Sequence, residues 1–484
     1  MIPQFTGFAW PRASLVLSTS LIGLALAGCS LAPVYQRPGV TLPPTLGSDG
    51  LPTLSLAQAS ADLTASERTF LASFAPDRDL APFVAQALAH NADHRLALAQ
   101  VEQARAQYRV SRADQLPAIG AGAALARQRF DSSELNARYE QRLTTVTAGI
   151  SDFELDFFGR MKSLSDAARE RYLASTYGEQ AARGALIAEV LRAYTLERTA
   201  ATALVRAETI STDTRAMLQV AALQRQVGLA SQDDLDRQQA QADQADQAAR
   251  QASDDHRASL RALRLLTGCD GVPEGDVRTL ATPHAPVAAL QDLDSQLLLQ
   301  RPDIRQAEAS LRGANADIGA ARAAFFPSIR LSTSVGTASD GLAGLFDAGS
   351  GTWSFMPQLS LPIFDFGRNR ANLDLAWTRQ QAGVVEYENA IRRAFREVAD
   401  TLDARATLAQ AERLQSEEDA RAQRRLERMA ARAGAGLTDR SDLLVEQIRA
   451  EQSALARLRA ERDLTLVRIA LFRAFYGVEL HSSL

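Results

Sequence analysis

Hydrophobic and polar residues alternate with a period of two in four short segments of the chain, which occur as two pairs. In the segment 328–335, isoleucine, leucine, threonine and valine occupy every second position, and arginine and serines lie between them. This alternation predicts β-strands with one apolar and one polar face. The four predicted strands span about residues 118–128, 144–156, 328–337 and 353–364. Such segments are typical of membrane-spanning strands, although soluble hairpins packed on helices have the same pattern.

Two long stretches that follow these pairs have the composition of helices. Residues 118–272 and 363–484 contain no proline and are rich in alanine, arginine, glutamine, glutamate and leucine. Because proline costs about 3 kcal/mol in a helix interior, the stretches from Arg160 to Val227 and from Arg368 to Arg432 are predicted to be helices of about 100 Å. A Gly-Leu pair follows each of them, as expected for a left-handed cap. The predicted return helices span about residues 232–267 and 440–476.

These elements occur twice along the chain. Three landmarks recur at a nearly constant offset: Asp93, Pro117 and Gly159 correspond to Asp303, Pro327 and Gly367. The offset predicts two copies of a structural unit of about 200 residues, which is too long for the repeat of a solenoid. The predicted parts, in chain order, are a signal peptide (1–28), an extended lipid-anchored segment (29–78), a first repeat (79–271), a linker (272–287), a second repeat (288–477) and a C-terminal tail (478–484).

The N-terminus has the pattern of an export signal. Arg12 precedes an apolar run from Leu15 to Ala27, which is too short for a spanning helix. Gly28 and Cys29 follow, and this arrangement resembles a bacterial lipoprotein signal; the resemblance implies diacylglycerol and an N-acyl group on Cys29. The alternative is an ordinary signal peptide with a chance cysteine. No other apolar stretch of about 20 residues follows, so no spanning helix is expected in the mature chain.

Composition argues against several other classes of function. The formal net charge is −4 and no basic patch stands out, so nucleic-acid binding is not expected. Cys269 is the only cysteine besides Cys29, which leaves no intramolecular disulfide. His90 and His94 have a spacing found in zinc sites but lack a third ligand, and we interpret them as a solvated helix face. No catalytic arrangement can be identified, so neither enzyme activity nor a cofactor is expected.

Several motifs resemble one family when they are taken in order. They are Cys29 with the following Ala32-Pro33-Val34-Tyr35-Gln36-Arg37-Pro38, the proline before the first strand of each pair, Arg301-Pro302-Asp303-Ile304, and Asp365-Phe366-Gly367-Arg368. Together they resemble the outer-membrane factor (TolC-like) family, in its lipoprotein branch that serves efflux systems of the resistance-nodulation-division type. The resemblance covers essentially the whole mature chain.

The resemblance implies a fold that is mainly α with a β-barrel portion. Each chain of a homotrimer would supply four transmembrane β-strands to one twelve-stranded barrel, and its long coiled-coil helices to a periplasmic α-barrel. The implied function is an outer-membrane channel that passively conducts drugs or other small molecules. The implied partners are a periplasmic adaptor protein, an inner-membrane transporter and outer-membrane lipid.

The resemblance also implies a periplasmic gate at the two Gly-Leu turns. Asp234 and Asp442 lie six positions after the turn glycines and match gate carboxylates of the family. Arg432, with Arg225 as the weaker match, resembles the basic residues that hold the gate closed. The family often has another polar residue where this chain has Val445, so the number of acidic rings stays open. The alternative is that both aspartates cap the return helices, which is worth about 0.5–2 kcal/mol.

Two other functions are compatible with parts of the pattern. One is a type I protein-secretion channel, and the other is a lipid-anchored periplasmic coiled-coil scaffold. The lipoprotein signal and the Tyr35-Gln36-Arg37-Pro38 segment favour small-molecule efflux over secretion. A scaffold needs the long helices but not the two pairs of alternating strands.

Overall fold

The computed structural model describes residues 31–37, 39, 62–76, 79–132, 137–268, 272 and 294–478. The chain divides into two compact units, Met1–Leu54 and Ser55–Leu484. The described residues of the first unit form no helix or strand and are exposed. Outside the described residues lie the predicted signal peptide with Cys29, the linker apart from Val272, and the tail after Val478.

In the described part of the second unit, eight α-helices carry most of the residues. They are α1 (Ala65–Phe74), α2 (Ala81–His90), α3 (Ala92–Ala113), α4 (Arg160–Gln226), α5 (Gln232–Thr267), α6 (Pro302–Ala323), α7 (Arg368–Gly434) and α8 (Arg440–Ala474). Helices α4 and α7 have 67 residues each, which corresponds to about 100 Å. The predicted bounds of α4, α5, α7 and α8 are confirmed to within two residues. No helix in the described ranges is long and apolar enough to cross a membrane.

Four antiparallel strands form one sheet in the order β1-β2-β3-β4. They are β1 (Ile119–Ser132), β2 (Ala137–Leu155), β3 (Ser328–Ser339) and β4 (Gly351–Ser360). The first hairpin extends beyond its predicted ends, up to the pair Ser132 and Ala137, because backbone hydrogen bonds continue a ladder through polar residues that hydropathy does not mark. Strand β4 ends at Ser360 instead of residue 364; Pro362 follows, and it has no N–H to donate to a ladder.

The same order of elements occurs twice. A medium helix, two strands, a long helix and a return helix follow one another as α3-β1-β2-α4-α5 and again as α6-β3-β4-α7-α8. Each long helix begins directly after a glycine in the left-handed region, Gly159 (φ 73) and Gly367 (φ 85). The fold class predicted from the sequence, mainly helical with a smaller strand portion, is confirmed.

The N-terminal segment 29–78 was predicted to be extended and superficial, and helix α1 shows that this was wrong for its last part. Thr64 and Glu67 form a capping box: Glu67 N donates to Thr64 Oγ1 (3.2 Å), and Thr64 N donates to Glu67 Oε2 (2.8 Å). Leu71 and Phe74 are then fully buried in the main core. The prolines behind the prediction lie at Pro52 and earlier, so they do not interrupt this helix.

The largest cluster of buried hydrophobic residues lies where the short helices α1 and α2 pack against the middle of α4. Val84 and Leu88 of α2 meet Ile187, Leu191 and Tyr194 of α4 in this cluster. Residues of α5 and α8 complete it, so the short N-terminal helices join both repeats through one core. Burial of each such side chain contributes about 1.5–3 kcal/mol.

One buried ionic group joins α1, α4 and the residues that follow α8. Arg183 donates to both carboxylate oxygens of Glu67 (2.8 and 2.9 Å), and the Tyr476 hydroxyl donates to Glu67 Oε1 (2.7 Å). We call Glu67, Arg183 and Tyr476 the clasp. A β-carbon at Gly184 would lie 2.3 Å from the Tyr476 ring, which explains a glycine inside a long helix.

Two opposing influences act on the pKa of Glu67. Burial of the carboxyl, which is 2% exposed, would raise it. The hydrogen bonds from Arg183, the Thr64 amide and Tyr476 outweigh burial and lower the pKa of Glu67 to about 2. The clasp therefore holds an ionised carboxylate in a buried site.

His94 was interpreted as part of a solvated helix face, and this is wrong. Its side chain is 3% exposed. Nδ1 lies 2.9 Å from the Leu88 carbonyl oxygen, and Nε2 lies 3.0 Å from Glu179 Oε1. The Asn91 side chain caps α3 by accepting from His94 N. The His94 ring, in the first turn of α3, faces Glu179 of α4. The sequence spacing carried no information about that neighbour.

Candidate functional site

At the first turn between helices, which joins α4 to α5, the aspartate takes part in the helix cap. Gly228 lies in the left-handed region (φ 77), where a β-carbon would be strained. Asp234 N donates to Ser231 Oγ (3.1 Å), and Ser231 N donates to Asp234 Oδ2 (3.0 Å), which closes a capping box. Asp234 also pairs with Arg237. The hydrogen bonds from Ser231, followed by the Arg237 contact, lower the pKa of Asp234.

At the second turn between helices, which joins α7 to α8, one aspartate caps the helix and another does not. Gly436 is left-handed (φ 71) like Gly228. Asp439 is the N-cap and accepts from Asp442 N (3.0 Å) and from Ser441 Oγ (2.6 Å). These bonds, that of Ser441 first, lower the pKa of Asp439. Asp442 closes no capping box, and its exposed carboxylate accepts from Thr438 Oγ1 (2.9 Å).

The two sequence interpretations of these aspartates therefore separate. Asp234 behaves as the capping alternative predicts. At the second turn, however, the cap is Asp439, which the sequence interpretation missed although an aspartate three positions before Asp442 is a signal for an N-cap. The carboxylate of Asp442 is left facing solvent.

The predicted basic partners lie on the last turns of the long helices. Arg432 and Arg225 are exposed, and their carbonyl oxygens accept from Leu437 N and Gly228 N. In the described part of the chain, neither guanidinium is recorded in an ion pair, so Arg432 and Asp442 are not joined within one chain. A pairing of the two would have to form between chains.

The two turns lie side by side. A groove of about 430 Å³ is lined by Met217 and Gln224 of α4 and by Leu229 and Asp234 of the first turn, and Ser441 of α8 also borders it. The aspartates at the starts of α5 and α8 therefore lie at one end of the molecule. Exposed leucines, Leu229 and Leu437, lie at the same end.

The sheet has two chemically different faces. Val335, Trp353 and Phe355 project from one face, and Val335 and Trp353 are 66% and 74% exposed. The intervening positions carry small or polar residues such as Ser334 and Ser354, whose hydroxyls are 2.7 Å apart. Over β3 and β4, one face of the sheet is thus apolar and open, and the other is polar.

Two glycines on the polar face allow adjacent strands to bend toward each other. A β-carbon at Gly149 would lie 2.0 Å from the Thr333 carbonyl oxygen, and one at Gly336 would lie 2.0 Å from that of Val146. No side chain fits such spacing, and glycine in a strand interior marks a tight bend of this kind. At these two glycines the sheet therefore bends toward its polar face.

The described residues contain no group of three His, Cys, Asp or Glu side chains that would suit a metal ion. Charged side chains cluster at the two turns, in the clasp and at the ends of β2 and β3, and also where Arg301 donates to Asp303 and Glu397.

Known proteins resemble this chain over nearly all of its length. A family model described as "Outer membrane efflux protein" matches residues 83–269 and again 293–475. Outer membrane protein OprJ of Pseudomonas aeruginosa is 40% identical over 82% of this chain and 82% of its own. The probable outer membrane lipoprotein SilC of Salmonella typhimurium is 35% identical over 96% and 98% of the two chains. The open-state crystal structure of the MtrE outer membrane channel of Neisseria gonorrhoeae superposes with a TM-score of 0.71 at 32% identity, over 93% and 98%.

Proposed function

This chain belongs to the outer membrane efflux protein family and is an outer-membrane channel subunit of an efflux system; we propose that it works as a lipid-anchored homotrimer that passively conducts small molecules out of the periplasm. The observation that carries the proposal is the sheet. Within the described chain, β1 and β4 each keep one edge that pairs with no other strand. Four strands are too few to enclose a pore.

Pairing between chains resolves the open edges. A long unpaired strand is a template for another strand, and β1 and β4 have 14 and 10 residues. In the proposed trimer, β4 of one chain pairs with β1 of the next and closes a ring of twelve strands. The bends at Gly149 and Gly336 curve the sheet toward its polar face, so that face lines the pore and the apolar face contacts lipid.

The long helices continue the same pathway. Four residues separate β2 from α4, and seven separate β4 from α7, so the proposed pore leads directly into a tunnel of three chains. Large apolar side chains on α7, including Leu375, Val385 and Leu414, are exposed in the single chain. In the proposed trimer, neighbouring chains would cover such side chains.

The two turns form the proposed periplasmic gate. Three copies of Asp442 would form an acidic ring, since each carboxylate is exposed and is not used in a capping box. Arg432, exposed on the preceding helix, would pair with a neighbouring chain to hold the closed state. Asp234 is a secondary member, because Ser231 and Arg237 already engage its carboxylate.

The proposed anchor is Cys29 with a diacylglycerol and an N-acyl group. Support comes from the lipoprotein signal and from SilC, which is named a probable outer membrane lipoprotein. Acyl chains contribute about 0.8 kcal/mol for each buried CH₂, so several chains give a firm anchor. A periplasmic adaptor and an inner-membrane transporter are the proposed partners, since the chain belongs to a family of outer membrane efflux proteins. Mass spectrometry of the N-terminal peptide tests the anchor, and an unmodified Cys29 would exclude it.

Single-channel conductance in a planar bilayer tests the channel and its gate together. The detergent-extracted protein is expected to be a trimer with discrete openings. Asp442→Asn is expected to weaken cation preference, because it removes three charges from one ring. Asp254→Asn on α5, an exposed aspartate far from the turns, is the matched control and should leave conductance unchanged. A monomer without conductance in both variants would overturn the proposal in favour of a scaffold.

A further inference from the structure

Strand β2 contains one strained residue at a β-bulge. The register between β2 and β3 shifts between Ile150 and Phe153, and Asp152 within this bulge has φ 55. Positive φ is uncommon outside glycine, although aspartate and asparagine tolerate it better than most residues. The Asp152 amide donates to Ser332 Oγ (3.0 Å). Bulges often re-aim a side chain, so the target of the Asp152 carboxylate is informative.

The bulge directs Asp152 to an arginine on the neighbouring strand. Arg330 Nη1 donates to Asp152 Oδ2 (3.0 Å) and Oδ1 (3.3 Å). Arg330 also lies directly opposite Glu154 in the strand register. Glu154 in turn accepts from Arg160 Nε (2.8 Å) at the start of α4. We call these four residues, Asp152, Glu154, Arg160 and Arg330, the junction cluster, because they lie where the sheet meets the long helix.

The junction cluster belongs to the polar face of the sheet. Arg330 alternates with Leu331 and shares its face with Ser332 and Ser334, whereas Val335 belongs to the opposite face with its register partner Trp353. A cavity of about 350 Å³ opens beside the cluster, and it is lined by Glu154, Arg160 and Arg330. In the proposed trimer this face surrounds the pore, so the cluster lies at the boundary between the strand pore and the helical tunnel.

The described strand positions on the rest of this face carry no charge. Among the side chains that the structure describes, the strand positions in line with Gly149, Ser334 and Ser354 are glycine, alanine, serine, threonine, leucine, methionine or glutamine. Charged rings in a narrow pore dominate its selectivity. The sign of the field at this end of the strand pore therefore depends on the junction cluster, together with Asp156 and Arg368, which line the same cavity.

We propose that the junction cluster is a second charge-selecting ring of the channel, in which the Asp152–Arg330 pair keeps the mouth of the strand pore neutral to solutes of either sign. Asp152 and Arg330 are then specificity-determining residues, separate from the acidic ring at the turns. This inference rests on the proposed trimeric channel. It explains why a strained aspartate is kept at the bulge: its carboxylate cancels an arginine charge that would otherwise repel cations three times around the pore.

Reversal potentials under a KCl gradient test this ring. Asp152→Asn is expected to shift permeability toward anions, because Arg330 loses its counter-charge, and Arg330→Gln is expected to shift it toward cations. The exchange Asp152→Arg with Arg330→Asp is expected to return toward wild-type values. Each shift should be larger at 0.1 M than at 1 M salt, where the Debye length falls from about 10 Å to about 3 Å. Recording the variants also in an Asp442→Asn background reduces the contribution of the turn end.

The outcomes separate this inference from the channel proposal. Absence of channels in wild-type protein contradicts the channel itself. Channels with unchanged reversal potentials in both single variants, or with shifts of the same sign, contradict the junction ring and leave the pair as a support for the bulge. Asp152→Gly is a second variant that accepts φ 55 without strain, and it should reproduce the anion shift if Asp152→Asn fails to assemble.

Discussion

The clasp and the two helical turns use the same kinds of side chain in opposite surroundings. In the clasp, Glu67 is 2% exposed and receives three side-chain hydrogen bonds. At the second turn, Asp442 is exposed and has one side-chain partner, the Thr438 hydroxyl. A buried charge without its partner costs several kcal/mol, whereas an exposed one costs little. The clasp therefore serves to stabilise the fold, whereas the Asp442 carboxylate at the second turn remains available for other contacts.

The first turn lies between these two cases. Asp234 is partly exposed, but it closes a capping box and pairs with Arg237. The two turns occupy equivalent places in the two repeats and yet differ in what their aspartates do. Both return helices are capped, by Ser231 and by Asp439, but the aspartate six positions after the turn glycine closes a capping box only in the first repeat.

The largest expected effect on stability is removal of the clasp carboxylate. Glu67→Ala leaves Arg183 buried without its partner, which is expected to lower the free energy of unfolding by about 3–5 kcal/mol. Glu388→Ala removes the carboxylate of an exposed ion pair with Arg392 and is expected to cost at most about 1 kcal/mol. Urea unfolding of the detergent-extracted protein, followed by circular dichroism, measures both. Equal losses would mean that the clasp is no more than a surface pair.

Acid should weaken the same site gradually. The pKa of Glu67 is lowered from 4.5 to about 2 in the folded chain, so its contribution is fully present above pH 4.5 and is lost as the pH falls toward 2. The shift corresponds to about 3 kcal/mol. The stability difference between wild type and Glu67→Gln is expected to be constant from pH 7 to about pH 5 and to shrink below it. A difference independent of pH down to 3 would contradict the ionic character of the clasp.

The sequence was most informative where the structure is periodic. Absence of proline and the Gly-Leu pairs predicted α4, α5, α7 and α8, because a long helix needs only local consistency. Strand alternation located the four strands but not their ends, since ladders continue through polar residues. Helix α1 was missed because its evidence, Thr64 and Glu67, is a single capping box that follows a proline-rich segment. Such local signals carry little weight until a neighbour confirms them.

The candidate site was only partly predictable for a different reason. Asp442 and Asp234 were singled out by the resemblance to the family, but such a resemblance does not report which carboxylate is already hydrogen-bonded. His94 illustrates the same limit, because its partner Glu179 is 85 positions away. Asp152 and Arg330 are 178 positions apart and meet only through the register of β2 and β3. Contacts of this range depend on tertiary pairing, which hydropathy does not encode.

Loss of a helix cap should have a smaller effect than loss of the clasp. Ser231→Ala removes the hydroxyl that accepts from Asp234 N and is expected to cost about 1 kcal/mol, within a range of about 0.5–2 kcal/mol. Ser441→Ala is the matched control at the second turn, where Ser441 donates to Asp439 without capping the helix. The same urea titration compares them. A larger loss for Ser441→Ala would contradict the assignment of Ser231 as a helix cap and of Ser441 as a residue outside the cap.

The smallest expected stability effect is at Asp442, and it is the strictest form of the comparison. Asp442→Asn keeps the backbone donor to Asp439 and the side-chain oxygen that accepts from Thr438, so the free energy of unfolding should change by less than about 0.5 kcal/mol. Asp439→Ala, which removes the cap itself, should cost about 1 kcal/mol. If Asp442→Asn destabilised the protein as much as Asp439→Ala, its carboxylate would be a structural cap, and altered conductance in that variant would no longer be evidence for a gate. A stable Asp442→Asn trimer with altered ion preference would instead separate folding from gating at a single carboxylate, because the charge is the only property that the substitution removes.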